Sequence, residues 1–376
     1  MRSRRRSAYF AVLALSLGFA ASAAAAPPGP ADVQRGLERL VAAEGGPPGA
    51  IATMYRDGRM TVLRAGRADL KRPGAPKPTD YMRIASVAKA FSGAVALNLV
   101  RAGKLGLDDT IGQRLGGMPA AWADVTVRQM LDHTSGLPDY TKSKAFAEQA
   151  RKDPRGFVSP GEIIDWVRAE PLEFTPGTSY EYSNTDNIVV GLIVEAVTGR
   201  PYGEALDEIV FEPAQLHQTT FPAKLALPKP FIHGYVVEAG EAPTDVSTFL
   251  SPSGAWASGA IVSTPRDLNA FIRSYLGLKF FSRAQQREQM QFVPGASSPP
   301  GPGRNSAGLA LFRYRTRCGT VYGHTGNFPG YVQWAAATAD GRRAVTTSLN
   351  IPAPTGKLLA RLRRVQETAV CALLAR

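Results

Sequence analysis

The chain has 376 residues, a formal net charge of +13, two cysteines and four histidines. That length suits one large two-lobed domain with a sizeable core. The basic surplus is spread along the chain instead of gathered into a Lys/Arg block with interleaved aromatics. This excludes the usual nucleic-acid-binding pattern and leaves solubility, with some affinity for anionic cell-wall polymers, as its reading.

Residues 1–25 read as a secretory signal peptide. Four arginines precede an apolar run too short for a comfortable membrane span, and small residues follow, with cleavage expected after Ala23 or Ala25. The run Ser3 to Arg6 faintly resembles a twin-arginine signal, but the general secretory route fits better. Removing this segment lowers the charge from +13 to +9. A second apolar segment of membrane length does not follow, so the expected product is soluble, without an anchor, and secreted or periplasmic.

Residues 31–44 have the spacing of an amphipathic helix. The stretch GAIATMYRDGRMTVLRAG, 49–66, predicts two strands joined at Arg56-Asp57-Gly58-Arg59, a hairpin with an Asp-Gly turn. A Pro/Gly-rich loop covers 71–80.

The next element poses a problem. From Val87 to Val100 nearly every side chain is apolar or small, so this helix belongs in a core. Arg101 and Gly103 end it. Yet Lys89 lies in its first turn, where the helix dipole and the apolar neighbours both disfavour a cation. Ser86 stands one turn earlier, and side chains at i and i+3 share a face. A partly desolvated lysine at a helix N-terminus has a lowered pKa; neutral, it becomes a general base for the serine. The competing reading is a lysine that snorkels to the surface.

Further along, TPGTSYEYSNTDNIVVGLIVEAVTGR, 175–200, places Tyr182-Ser183-Asn184 ahead of a long apolar helix. Tyr182 and Asn184 can face one way, a phenol to relay a proton and an amide to hold a carbonyl. The plainer alternative is that Ser183, Asn184 or Asp186 simply caps the helix. A second Pro/Gly-rich loop, 293–304, leads to VYGHTGNFPGY, 321–331, with His324-Thr325-Gly326 near a strand end. There a glycine would admit substrate to the backbone, and the N–H of Asn327 could complete an oxyanion hole. For His324 the alternative is a strand histidine bonded to its neighbours. Residues 331–351 predict another hairpin turning at Asp340-Gly341, and a terminal helix follows.

Strands thus gather at both chain ends around a mostly helical middle. The fold class expected is α/β (α+β), an antiparallel sheet flanked by helices and built from both termini, with an inserted mostly helical lobe. The lone cysteines, Cys318 and Cys371, predict one disulfide in an exported protein, or failing that two buried thiols. No G-x-S-x-G elbow, phosphate-binding loop, H-E-x-x-H or Cys/His cluster occurs, so no metal and no cofactor is expected. His133, His217 and His233 read as structural.

S-V-A-K at 86–89, Y-S-N at 182–184 and H-T-G at 324–326, separated by 96 and 142 residues, resemble the three motifs of penicillin-recognising serine enzymes. These comprise class C β-lactamases, DD-peptidases and related esterases. The likeness spans roughly residues 35–375. VTVRQMLDHTSGLPDY, 125–140, is similar to the family's H-x-S-G-L segment, and SGAIVSTPRDLNAFI, 258–272, to its S-T-x-x-D-L segment.

The resemblance implies a β-lactamase/transpeptidase-like hydrolase domain over 31–376, with an α/β lobe of about 31–95 and 300–376 and a helical lobe of about 96–299. It implies that Ser86 forms an acyl-enzyme, that Lys89, alone or with Tyr182, takes its proton, and that Tyr182 protonates the leaving group. Asn184 would hold the acyl side chain, His324, Thr325 and Gly326 the opposite wall, and the N–H groups of Ser86 and Asn327 the oxyanion. Trp256 would supply the family's substrate-wall aromatic, slightly displaced. The cysteine positions also match DD-carboxypeptidases of the family, and so support the disulfide.

The resemblance implies a D-alanyl-D-alanine carboxypeptidase that acts on small peptides of the peptidoglycan type and is acylated by β-lactams, with an esterase, D-amino-acid amidase or β-lactamase of the family as the alternative. Two departures bear on it. Where the DD-peptidases carry a carboxylate-gripping arginine this chain has Phe312, with Arg313 and Arg315 nearby. Histidine replaces lysine in the third motif, a trait shared with D-amino-acid amidases and esterases of the family. A catalytically silent wall-binding or penicillin-sensing protein is the remaining reading.

Overall fold

The computed structural model describes residues 27–222, 224–238 and 240–375, so the signal segment lies outside the described residues. Helix α1, Pro30–Val41, opens with proline in its first turn and with the Asp32 carboxylate accepting the Gly29 N–H at 2.8 Å. Strands β1, Gly49–Arg56, and β2, Arg59–Gly66, form the Asp-Gly hairpin as expected. Asp57 and Gly58 both have positive φ, 52° and 78°, which the turn demands and which the Asp-Gly pair tolerates.

Helix α2, Ala88–Arg101, follows a short 3-10 turn, Ala85–Val87. Eleven of its fourteen residues are buried, so it runs through the centre of the molecule. Gly93 is required there, because a Cβ would lie 2.3 Å from the Ala310 side chain. The middle of the chain adds α3, Lys144–Lys152, α4, Asn184–Thr198, and α5, Pro265–Leu276.

The later strands are β3, Val293–Pro294, β4, Arg304–Gly308, β5, Leu311–Thr316, β6, Gly319–Phe328, β7, Tyr331–Ala337, and β8, Ala344–Leu349. With β1 and β2 they make one eight-stranded sheet in the order β2-β1-β8-β7-β6-β5-β4-β3, every pair antiparallel. Strands from the two chain ends meet at β1 and β8.

Helix α6, Gly356–Leu374, packs with α1 over one face, where Val33, Leu37 and Leu40 meet Leu362, Val365 and Val370 above Ala50, Ala52 and Trp334. Ile51 and Ala335 point to the other face, against Phe91 of α2 and Phe271 of α5. Both faces are covered, so β1, β7 and β8 are buried along almost their whole length. Cys318, in the β5–β6 turn, is bonded to Cys371 of α6 as a disulfide. Among the described residues no helix is long and apolar enough to cross a membrane, and no group of His, Cys, Asp and Glu has metal-binding geometry.

Candidate active site

Ser86 sits in the 3-10 turn that feeds α2, half-buried at the floor of a cleft. The preceding residue, Ala85, is held at φ 51°, a conformation alanine seldom adopts. Such backbone strain is typical of positions that aim a functional side chain. No acceptor for the Ser86 N–H occurs among the described residues, as expected for the first turn of a helix.

Lys89 does not snorkel. It is completely buried, with Nζ 3.2 Å from the Ser86 hydroxyl, 2.7 Å from Asn184 Oδ1 and 2.9 Å from the Ser258 carbonyl. Burial pulls its pKa down from 10.5 to about 7, against the opposing pull of the Asp139 and Asp186 carboxylates. Near neutrality a large fraction of this amine is therefore uncharged, next to a hydroxyl.

Tyr182 and Asn184 reach the same place from the start of α4. The Tyr182 ring lies 5.2 Å from Lys89 Nζ. Its hydroxyl is buried without a hydrogen bond. Burial raises its pKa, and the Ser86 hydroxyl, near but outside hydrogen-bonding geometry, acts in the other direction. Ser183 stands at the cap position, yet its hydroxyl makes no capping bond, so capping does not account for the motif.

Asn184 is placed differently from expectation. Its Oδ1 receives Lys89, and its amide nitrogen donates to Asp139 Oδ2 at 3.1 Å, so it bridges two side chains instead of offering a free amide to substrate. Asp139 had no role in the sequence reading. Its carboxylate also accepts the Thr141 N–H at 3.0 Å, a local turn bond that makes it look like an ordinary cap.

His133, read as structural, has Nδ1 2.7 Å from Asp186 Oδ2, both groups buried; the Ser183 backbone N–H reaches the same nitrogen at 3.5 Å, and the imidazole lies 4.4 Å from the Tyr182 ring. Burial, then the Lys89 charge, takes His133 down to about 3, and burial raises Asp186 well above its ordinary value.

The third motif lies on β6, which ends beside the serine turn. Gly326 was expected to admit substrate, but the room it leaves is filled by protein. A Cβ there would stand 2.5 Å from the Ile84 carbonyl and 3.0 Å from the Ser86 nitrogen. The glycine lets β6 press against the turn that carries Ser86. Opposite β7, Phe328 faces Tyr331 across a two-residue turn, so the alternation of the ladder points the Asn327 N–H away from β7.

His324 and Thr325 are fully buried and do not line the cleft. Nδ1 of His324 is 2.5 Å from the Thr325 carbonyl, Nε2 has no partner, and burial lowers its pKa to about 3. The Thr325 hydroxyl donates to the Pro299 carbonyl at 2.7 Å. Segment 295–299 thus straps over this wall, anchored also by the Tyr180 hydroxyl on the Ala296 carbonyl at 2.6 Å. Trp256 is a correction as well. It packs behind the site, its ring 5.2 Å from Tyr202 and against Gly191, and contributes nothing to the cleft surface.

The cleft measures about 990 Å³ and is bordered by Ser86, Asp139, Tyr182, Asn184, Asn327 and residues of α3, among others. Among the described residues Lys142 is its only basic lining residue, and it is held by Glu181 at 2.7 Å. Asp139 and Asp153 add further carboxylates. Phe312 is buried against His324, with ring centroids 5.0 Å apart. Arg313 stacks on Phe292 and donates to Ser306, while Arg315 is exposed; neither reaches the cleft.

Residues 34–370 match the family described as Beta-lactamase. Among solved structures, a D-stereospecific amidohydrolase from Streptomyces sp. superimposes with a TM-score of 0.77 at 32% identity, covering 86% of this chain and 95% of that one. D-amino acid amidase from Ochrobactrum anthropi SV3 gives 0.78 at 25% identity, covering 91% and 96%. Penicillin-binding protein 4* of Bacillus subtilis is 26% identical over 297 residues, 74% of this chain; the match spans 63% of that relative's own length.

Proposed function

The chain belongs to the beta-lactamase family of penicillin-recognising serine hydrolases, and from that premise we propose that it hydrolyses amides or esters of D-configured acyl donors through an acyl-enzyme on Ser86. The observation that carries this reading is the buried, partly neutral Lys89 amine 3.2 Å from the Ser86 hydroxyl. Ser86 Oγ bonds to the carbonyl carbon as its proton passes to Lys89 Nζ. The oxyanion is met by the N–H groups of Ser86 and Asn327. Tyr182 relays the proton to the departing amine or alkoxide, and the C–N or C–O bond breaks. Water then adds to the acyl-enzyme, gives a proton to the same base, and returns the serine as the C–Oγ bond breaks.

The substrate class follows from charge. A carboxypeptidase must hold a terminal carboxylate, and a cation or free hydroxyl normally does so. Here the one basic lining residue among the described residues, Lys142, is paired with Glu181, the Thr325 hydroxyl is donated elsewhere, and Asp139 and Asp153 also line the cleft. An amide or ester substrate lacking that carboxylate fits better, as the names of the amidohydrolase and amidase neighbours also favour. D-alanyl-D-alanine carboxypeptidase activity is the second reading, favoured by the penicillin-binding relative.

The working unit is the domain 31–376, with its cleft between the sheet lobe and the helical lobe, exported behind the N-terminal signal. The decisive experiment is intact mass after exposure to benzylpenicillin, together with turnover of a D-amino acid amide, a D-Ala-D-Ala tripeptide and a nitrophenyl ester. We expect an adduct on the wild type, none on Ser86→Ala, and faster turnover of amide or ester than of tripeptide. An equal adduct on Ser86→Ala, or no adduct and no turnover at all, overturns the reading and leaves a silent binding protein.

A further inference from the structure

Across the sheet from α2, helices α1 and α6 leave a groove of about 490 Å³ that shares no lining residue with the catalytic cleft. Its floor is apolar and closed. Gly36, Leu40 and Val365 are buried there, and a Cβ on Gly36 would stand 2.9 Å from a Val365 methyl group, so the two helices touch. Its rim is basic. Arg39 of α1 and Arg361 and Arg364 of α6 line it, all three exposed. Arg361 and Arg364 stand one turn apart on the same helix face.

These charges are uncompensated. Arg363, next to the groove, spends its guanidinium on the Gly301 and Gly303 carbonyls at 3.0 and 2.7 Å, whereas the guanidinium groups of Arg39, Arg361 and Arg364 have no partner among the described residues. The acids of the two helices are engaged elsewhere. Asp32, which also lines the groove, accepts the Gly29 N–H at 2.8 Å and pairs with Arg35 at 2.6 Å. Glu38 accepts the Gln34 amide at 2.8 Å, and Glu367 accepts the Arg317 N–H at 3.2 Å. Like charges one turn apart on a helix repel. An anion seated between them turns that cost into attraction.

We propose that the α1–α6 groove binds the phosphodiester groups of an anionic wall polymer and holds the protein on it while the catalytic cleft stays free. The inference rests on the proposed export and is independent of the acyl-enzyme reading. Guanidinium forks match phosphate oxygens and bond them in pairs. Three cations spread over two helices suit an extended polyanion better than a single phosphate. A lipid surface is disfavoured, because the large apolar side chains open to solvent among the described residues, Phe157 and Phe249, lie outside both helices and give this face nothing to insert. A nucleic acid is disfavoured too, since no aromatic side chain lines the groove to stack a base.

The test is calorimetric titration of a glycerol-phosphate oligomer into the protein at low and at high salt. The wild type is expected to bind at low salt and more weakly as salt screens the charges. Arg39→Gln, Arg361→Gln and Arg364→Gln should each weaken binding by roughly tenfold, the scale of one charge-assisted hydrogen bond. Their melting temperatures should stay level or rise, because mutually repelling charges are removed. A control variant with Lys71→Gln, Arg101→Gln and Lys104→Gln loses three exposed cations elsewhere and should bind as the wild type does. No binding by the wild type at low salt, or equal weakening of the control and of the combined groove variant, overturns the site. Tighter binding of phosphatidylglycerol vesicles, or of a single-stranded oligonucleotide of equal charge, through the same three arginines overturns the polymer as its occupant.

Discussion

Asn184 accepts from Lys89 at its carbonyl oxygen and donates from its amide nitrogen to Asp139, at 2.7 and 3.1 Å, so the Lys89 amine and a buried carboxylate are joined through one side chain. Asp139 also raises the Lys89 pKa through space. Asp139→Asn should therefore lower the lysine's pKa below its present value of about 7. The acid limb of the kcat/KM profile is expected to move to lower pH, with a loss of maximal rate as Asn184 loses its anchor. An acid limb that stays in place would show that Asp139 does not act on the base.

Lys89 itself makes two pH predictions. Its neutral form is the proposed base, so kcat/KM should rise as pH passes upward through about 7. Stability should follow the same group. Its pKa is about 7 folded against 10.5 for the unperturbed side chain, so the unfolded chain binds more protons between those values. The lysine's contribution to stability therefore grows as pH climbs through that window and is flat below it. Denaturant midpoints at pH 6, 8 and 10, compared between wild type and Lys89→Met, isolate this term. The variant should lose roughly 10²–10⁴ in rate, and Lys89→Arg should not restore it because a guanidinium remains charged.

Tyr182→Phe separates function from stability. The hydroxyl is buried and makes no hydrogen bond, so removing it should leave stability unchanged or raise it by about 1 kcal/mol. Activity should still fall by about a hundredfold if the phenol relays a proton. Loss of both stability and rate would instead mean that the hydroxyl has a structural partner.

The strap over His324 and Thr325 hangs partly on the Tyr180 hydroxyl. Tyr180→Phe is expected to speed amide hydrogen exchange at the non-proline positions of 295–299 relative to the surrounding strands. Unchanged exchange would show that the Thr325 bond to Pro299 is sufficient to hold the segment.

Breaking the Cys318–Cys371 bond with paired serines should cost up to about 4 kcal/mol, from the 53-residue separation it closes. Thermal melts of the oxidised protein and the double variant measure this directly.

Much of the frame was legible because its signals are local. Asp57-Gly58 and Asp340-Gly341 mark their turns by chain chemistry alone, and the all-round apolar character of 88–100 puts that helix in the core. The Ser86–Lys89 pair is likewise a one-turn relationship. What stayed hidden depends on distant partners. Asp139 looks like a turn residue until Asn184, 45 positions later, arrives beside it. Gly326 reads as room for a ligand, and only the tertiary contact with Ile84 and Ser86 shows that protein takes that room. Trp256 sits in the right stretch, but the narrow gap beside Gly191 draws its ring inward. Ala85 carries no mark of its positive φ, since its side chain disfavours that conformation and only the surrounding packing imposes it.

The strand that carries Asn327 to the serine begins just after the turn whose cysteine is stapled to the closing helix. Helix α6 is therefore mechanically coupled to the strand beside the Ser86 turn. A protease cut within that helix would act through the disulfide on the same β-strand that carries Asn327, the proposed oxyanion donor, so the helix should be left whole in any fusion.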